Sequence, residues 1–322
     1  MSPIPATPGR PAYDSRRVQR IFDRRAATFD DVAFLPREIA QRMRERLDYI
    51  KIAPASVLDV GCGPGDDLPD LRKRFPDAPV FGTDLSHAML LRALHHDAGD
   101  TSWRRFLPAS IGKALGVRGP RFAQADFGAL PFASGAFELL WSNLALHWHP
   151  RPDVVFGEWQ RVLKVNGLLM FSTLGPDTLK ELRGAWAEVD AAHGVPARPH
   201  IVDFVDMHDL GDMLVENGFE IPVMDQETLT VTYTSGEKLL ADVRRWGAYP
   251  FERDATLATH AARRLHRALV AALDARRRDD GTIALTFEII YGHAWKAVPR
   301  HTAEGHGIVR IEDIGRGRPG TL

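Results

Sequence analysis

The chain has 322 residues, 44% of them hydrophobic and 26% charged, with a formal net charge of −1. That length and balance suit one large soluble domain, or a core with a substantial appendage, whose interior needs no disulfide or metal staple. They exclude a bulk field that would recruit nucleic acid, and the single cysteine, Cys62, excludes an internal disulfide and a cysteine metal cluster, which suits a reducing compartment.

The amino terminus is rich in proline without an apolar signal core, and no window approaches about 18 consecutive apolar residues. A cytoplasmic protein without a membrane span is therefore expected. Residues 1–12 read as a disordered lead-in. From Ser15 the apolar residues recur at helical spacing, through Val18, Ile21 and Phe22, then Ile39, Met43, Leu47 and Ile50. This predicts two amphipathic helices broken near Phe34-Leu35-Pro36. Their arginines Arg16, Arg17, Arg24 and Arg25 read most plainly as a solvated face.

Val57 to Val60 then reads as a buried strand, followed at once by Gly61, Gly63 and Gly65 and by a helix over 66–75. Val80 to Asp84 is a second strand ending in a carboxylate, and Ser86 is placed to cap the helix after it. Residues 99–118 break the rhythm and read as an insertion with a short helix. Arg121 to Asp126 is a third strand closing on aspartate, and Phe137 to Asn143 a fourth. A helix over 153–163, a strand over 167–173 and a helix over 176–189 follow, the last with Thr178-x-x-Glu181 as a capping box. Beyond these the pattern predicts a helix over 204–217, strands over 219–223 and 227–233, helices over 235–246 and 254–277, and a last strand over 282–297. The tail, 301–322, is polar, glycine-rich and expected to be mobile. Alternating strands and helices give an α/β, Rossmann-like doubly wound sheet.

The glycine stretch fits a dinucleotide fingerprint only in part. Gly61 and Gly63 match, but Asp66 stands where a third glycine belongs, and an acid there repels a pyrophosphate at a helix start. No Gly-Lys-Ser/Thr follows, so the phosphate loop fails as well. A ligand with a ribose and a cationic portion but no phosphate fits better, and S-adenosylmethionine is one. Glycines admit close backbone approach. Asp84 lies about 20 residues beyond the loop, where an acid takes ribose hydroxyls, and Asp126 is placed for an adenine amine. Asp59, Asp84, Asp126 and Asn143 all fall at the carboxyl edge of successive strands, where such sheets bind ligands. Each also has a plainer reading as a helix cap or a turn residue. Cys62 reads as a small turn residue, since nothing nearby activates it.

These motifs resemble class I S-adenosylmethionine-dependent methyltransferases. The resemblance rests on Leu58 to Gly65, Gly82 to Ser86, Ala125-Asp126-Phe127 with Leu130-Pro131-Phe132, and Arg161 to Lys164 before Gly167. It implies a seven-stranded, mostly parallel sheet with an antiparallel last strand and a helical lid. It also implies a binding set of Asp59, Gly61, Gly63, Gly65, Asp84, Leu85, Asp126, Phe127 and Asn143. A narrower resemblance, to the malonyl-acyl-carrier-protein O-methyltransferase family of biotin synthesis, rests on Ser142 to Trp148, Gly175 to Leu182 with Trp186, and Phe204 to Gly211. Arg20 to Asp30 also resembles that family's leading helix, with Phe29 where many members have tyrosine. The same motifs, with Ala294-Trp295-Lys296, resemble a mitochondrial complex I assembly factor thought to hydroxylate arginine.

The family likeness implies methyl transfer to the free carboxylate of malonyl-acyl-carrier protein, without metal. A carboxylate is already ionised at neutral pH, so no general base is required. Catalysis then rests on orientation, with His147, Arg24 and Arg25 as candidates to seat the acceptor carboxylate. Arg244, Arg245, Arg263, Arg264 and 276–278 are candidates to face an acidic carrier. Segments 13–50 and about 190–280 are the expected lid on a core of about 52–190 within a domain of 13–300. Trp186, Trp246 and Phe251 are candidate tunnel aromatics. An arginine hydroxylase and a non-catalytic assembly module are the alternatives, and the oligomeric state is left open.

Overall fold

The computed structural model describes residues 15–98, 121–194, 200–246 and 259–298. The lead-in, the 99–118 insertion, Phe251 and the tail lie outside them. Seven strands form one sheet: β1 (Val57–Val60), β2 (Val80–Asp84), β3 (Phe122–Gln124), β4 (Phe137–Ser142), β5 (Leu163–Leu174), β6 (Phe219–Tyr233) and β7 (Ile283–Lys296). Their order is β3-β2-β1-β4-β5-β7-β6. β1 pairs in parallel with both β2 and β4, while β7 runs antiparallel between β5 and β6. The chain leaves β1 toward one edge and returns through β4 toward the other. That reversal opens a crevice at the carboxyl ends of β1 and β4.

The helices are α1 (Ser15–Arg25), α2 (Phe34–Leu47), α3 (Leu68–Arg74), α4 (His87–Ala98), α5 (Pro152–Val162), α6 (Lys180–Ala192), α7 (Met207–Glu216), α8 (Gly236–Trp246) and α9 (Thr259–Asp274). All four residues of β1 are buried, as a central parallel strand covered on both faces requires. One face packs Val57, Leu139, Trp141 and Met170 beneath α2, α6, α8 and α9. The other packs Leu58, Leu140, Leu169 and Phe171 against Phe156 and Trp159 of α5. Truncating a buried leucine at such a site costs about 2–5 kcal/mol. Among the described residues no helix is long and apolar enough to cross a membrane.

The front segment is fastened across the sheet. Arg46 of α2 lies 3.7 Å above the Tyr291 ring and reaches Asp225 at 2.6 Å, and Arg42 pairs with Glu227. The break between the front helices is a 3-10 segment, Ala26–Val32, and not the expected Phe34-Leu35-Pro36, which opens α2. Pro36 falls in the first turn of α2, where its missing N–H costs nothing.

Three local expectations need correction. The 176–189 helix starts only at Lys180, and no capping box forms. Thr178 Oγ1 instead donates to the Glu288 carbonyl (3.1 Å), and the Glu181 carboxylate accepts from Thr286 N (2.9 Å). Both side chains brace β7, a partner that local spacing cannot reveal. The 66–75 helix is shorter, Leu68–Arg74 with Asp67 at its N-cap position. The strands at 219–223 and 227–233 are one strand, whose irregularity between Glu220 and Val223 absorbs Pro222 and leaves Ile221 at φ 53°.

Candidate functional site

The loop after β1 is stapled to β2. Gly61 N and Cys62 N both donate to the Thr83 carbonyl, at 2.8 and 2.9 Å. Gly61 and Gly63 take φ of +76° and +53°, a region that only glycine enters without strain. A Cβ on Gly61 would lie 2.5 Å from Ala145 Cβ, whereas one on Gly63 would meet nothing within 4 Å. Gly61 thus sits where two loops touch, and Gly63 faces open space. Asp84 then pins the loop, accepting from Gly63 N (2.9 Å) and from Ser86 N (2.7 Å).

Above this loop is a cleft enclosing about 1500 Å³ of empty space, the open solvent at its mouth included. Gly61, Gly63, Asp59, Asp84 and Leu85 form its floor. Val18, Phe22, Phe29 and Leu35 roof it, and Phe204, Trp246 and Phe287 also line it. Leu144 and Leu179 also line it, at φ 47° and 60°. Leu144 N donates to Ser172 Oγ (3.0 Å) and Leu179 N to the Thr286 carbonyl (2.7 Å), bonds that hold these left-handed leucines in place.

Of the residues singled out from sequence, Asp59, Gly61, Gly63, Asp84, Leu85, Phe127, Asn143 and His147 line the cavity. Gly65, Asp126, Arg24 and Arg25 are not in its wall. Gly65 lets the loop pack on α4, since a Cβ there would meet Ala93 Cβ at 3.1 Å. The Asp126 carboxylate accepts from Gly128 N (2.9 Å) and shapes its own turn. Asn143 ties roof to sheet, donating to the Pro36 carbonyl and accepting from Ser172 Oγ, both at 2.9 Å.

The three candidates for seating an acceptor carboxylate fall in different surroundings. Arg24 is exposed on the outer side of α1. Arg25 donates to the Arg244 carbonyl (2.8 Å), and burial lowers its pKa to about 10. His147 is in place, but burial takes its pKa down to about 3, so it is neutral at pH 7. Its ring lies 5.8 Å from Phe204 and 5.5 Å from Trp148. Trp186 stacks on His200 at 3.9 Å rather than lining the cavity, while Trp246 does line it.

Sequence reasoning missed two residues. Arg37 lines the mouth, held between Asp30 (2.8 Å) and Asp66 (2.9 Å). Asp67 also lines the cavity and accepts from Trp141 Nε1 (2.8 Å). Adjacent acids at a helix start were the only available signal for Asp67, and none marked Arg37. Asp67 and Asp84 are both pushed up to about 6, chiefly by burial. Asp59 is 2% exposed and its Oδ2 has no hydrogen-bond partner. Burial, then the charges of Asp67 and Asp84, hold its pKa well above the carboxylate range. The result is a floor of buried acids whose ionised forms a cationic ligand would stabilise.

A pH signature follows from Asp67. Its folded pKa is raised, so between about 4 and 6 the folded state holds more protons than the unfolded state, and stability falls as pH rises through that window. A shift of two units corresponds to about 3 kcal/mol. Asp67→Asn keeps an acceptor for Trp141 without the charge. Denaturation is expected to show it close to wild type near pH 4 and up to about 3 kcal/mol more stable at pH 7.5; a constant difference across pH would contradict this.

The sheet, its switch-point cavity and the glycine loop define a methyltransferase, and the methyltransferase domain family model matches residues 58–171. The methyl donor of this class is S-adenosylmethionine. The chain is 44% identical to the malonyl-[acyl-carrier protein] O-methyltransferase of Laribacter hongkongensis, over 89% of this chain and 91% of that one. It is 40% identical to the protein of the same name from Gallionella capsiferriformans, over 92% and 96%. The chain belongs to the malonyl-acyl-carrier-protein O-methyltransferase family. Among solved structures, the YcgJ protein from Bacillus subtilis shares the fold, with a TM-score of 0.51 at 18% identity over 80% of this chain and 99% of that one.

Proposed function

We propose that this chain methylates the free carboxylate of malonyl-acyl-carrier protein, an early step of biotin synthesis. Relatives of that name, aligned over about nine-tenths of both chains, carry the proposal. They are methyltransferases, so neither the hydroxylase nor the non-catalytic alternative draws support from them. Bound S-adenosylmethionine supplies an electrophilic methyl group on a cationic sulfur.

The chain's residues fit that donor. Asp59, with its unpartnered buried oxygen, would offer an acceptor to the cationic portion, and Gly61 and Gly63 would bring backbone close to the amino-acid portion. Asp84 retains lone pairs that would take the ribose hydroxyls, and Leu85 and Phe127 would hold the adenine. Gly65 and Asp126 act by shaping their loops, and Asn143 by holding α2 over the site. On the acceptor side the apolar roof strips water from an already ionised carboxylate. Neutral His147 orients that carboxylate by hydrogen bonding, which leaves its oxygen more nucleophilic than a full ion pair would.

The test is incubation of the enzyme with methyl-labelled S-adenosylmethionine and malonyl-acyl-carrier protein. A base-labile methyl ester on the malonyl group is expected. No ester at saturating concentrations of both would overturn the assignment.

A further inference from the structure

We propose that the outer face of α1 is the docking surface for an acidic carrier protein. Arg16, Arg20 and Arg24 recur every fourth residue, so they form one stripe along the helix, and all three are exposed. Val18 and Phe22, on the inner side of the same helix, line the cavity. The stripe therefore sits one helix diameter, about 10 Å, from the reaction chamber.

Within the sequence of α1 itself these charges are not balanced. Like charges at this spacing repel. Arg16 and Arg17 occupy the first turn, beside the positive end of the helix dipole, and no acid occupies that turn. The helix has one acid, Asp23, and it is turned toward α4. Its Oδ1 accepts from Ser86 Oγ (2.6 Å) and from Ala88 N (3.2 Å). A merely solvated face interleaves both signs of charge, and this helix supplies no acid to its outer stripe.

The surroundings extend the patch toward the cavity. Arg25 donates to the Arg244 carbonyl (2.8 Å) and so fixes the end of α8 beside α1. Arg245, 56% exposed and 3.9 Å from the Asp242 carboxylate, lies at that end, and Trp246 next to it lines the cavity and donates to the Val32 carbonyl (3.2 Å). The whole chain carries −1, so this cationic face is a local feature. An acidic protein that presents its substrate on a flexible arm is complementary to it in both charge and place. The identity of the partner rests on the activity proposed above; the cationic stripe beside the chamber does not.

The test compares the full-length wild type with R16E/R20E and the milder R16Q/R20Q. Each is assayed with malonyl-carrier protein and with malonyl-pantetheine, a carrier-free thioester. The charge reversal is expected to raise KM for the carrier substrate about tenfold, with kcat within about twofold and the carrier-free reaction unchanged. The glutamine variant should fall between. Raising salt from about 50 to 300 mM should weaken the wild type and flatten in the reversal variant. An unchanged carrier KM, or an equal rise for both acceptors, would overturn the proposal. So would charge-dependent binding of the wild type to phosphatidylglycerol vesicles with carrier KM unaltered. If the wild type esterified neither acceptor, the proposed activity would fail by itself. Fluorescence anisotropy with labelled carrier protein would still decide docking: weaker binding by the reversal variant supports it, and equal binding overturns it. Thermal midpoints of the variants near that of the wild type establish that the helix still folds.

Discussion

Replacing Asp84 with alanine is expected to weaken S-adenosylmethionine binding by about a hundredfold or more without unfolding the protein. Two effects of opposite sign meet in this residue. Its carboxylate holds Gly63 N and Ser86 N, so removal leaves two backbone donors short of a partner, at about 1–3 kcal/mol each. Burial also raises its pKa to about 6, so the ionised side chain costs about 3 kcal/mol of stability at pH 7.5, which alanine recovers. The net change in stability at that pH is small. Binding has no such compensation. The loop loses its pin, and the ribose hydroxyls lose a charged acceptor worth about 3 kcal/mol, or about a hundredfold in Kd. Calorimetric titration decides the matter, and a Kd within threefold of wild type would remove Asp84 from the binding set.

Gly61→Ala should be the most damaging single methyl group in the loop. The new Cβ would stand 2.5 Å from Ala145 Cβ, and φ of +76° already disfavours any side chain. Left-handed strain of about 1–2 kcal/mol and overpacking of about 1–3 kcal/mol sum to about 3 kcal/mol. The melting temperature should fall by about 6–12 °C, and the displaced loop should no longer bind the donor. Gly63→Ala is the control. It carries φ of +53° but meets nothing within 4 Å, so its penalty is the backbone term alone. Equal melting temperatures for the two variants would show that the contact with Ala145 yields freely.

Much of the scaffold was legible. Apolar runs bounded by glycine and aspartate located the parallel strands, and β2 came out as Val80–Asp84, as its pattern predicts. Pattern succeeds there because a strand buried on both faces permits few polar residues. The site was legible only where it coincides with strand ends. Asp84 declares itself by position, whereas Asp67 matters because Trp141, 74 residues away, donates to it. His147 was found, but its charge was not, since ionisation is decided by burial that packing alone creates. Arg25 looked free and is bound to a carbonyl 219 residues on. Leu144 and Leu179 gave no warning at all, because leucine has no preference for the left-handed region and only tertiary contacts hold it there.

The hydrogen bond from Asn143 to the Pro36 carbonyl limits how this protein can be recombined. The front helices look like an exchangeable module, a separate cap that a chimaera might replace to change acceptor. Yet the fastening is half in the cap and half in the sheet, and Ser172 of β5 orients the half in the sheet. A foreign cap arrives without its matching carbonyl unless its chain turns at the same height above β4. Cap and sheet therefore form a single unit of inheritance, whereas cavity-lining side chains such as Phe29 and Trp246 can be varied without breaking that fastening.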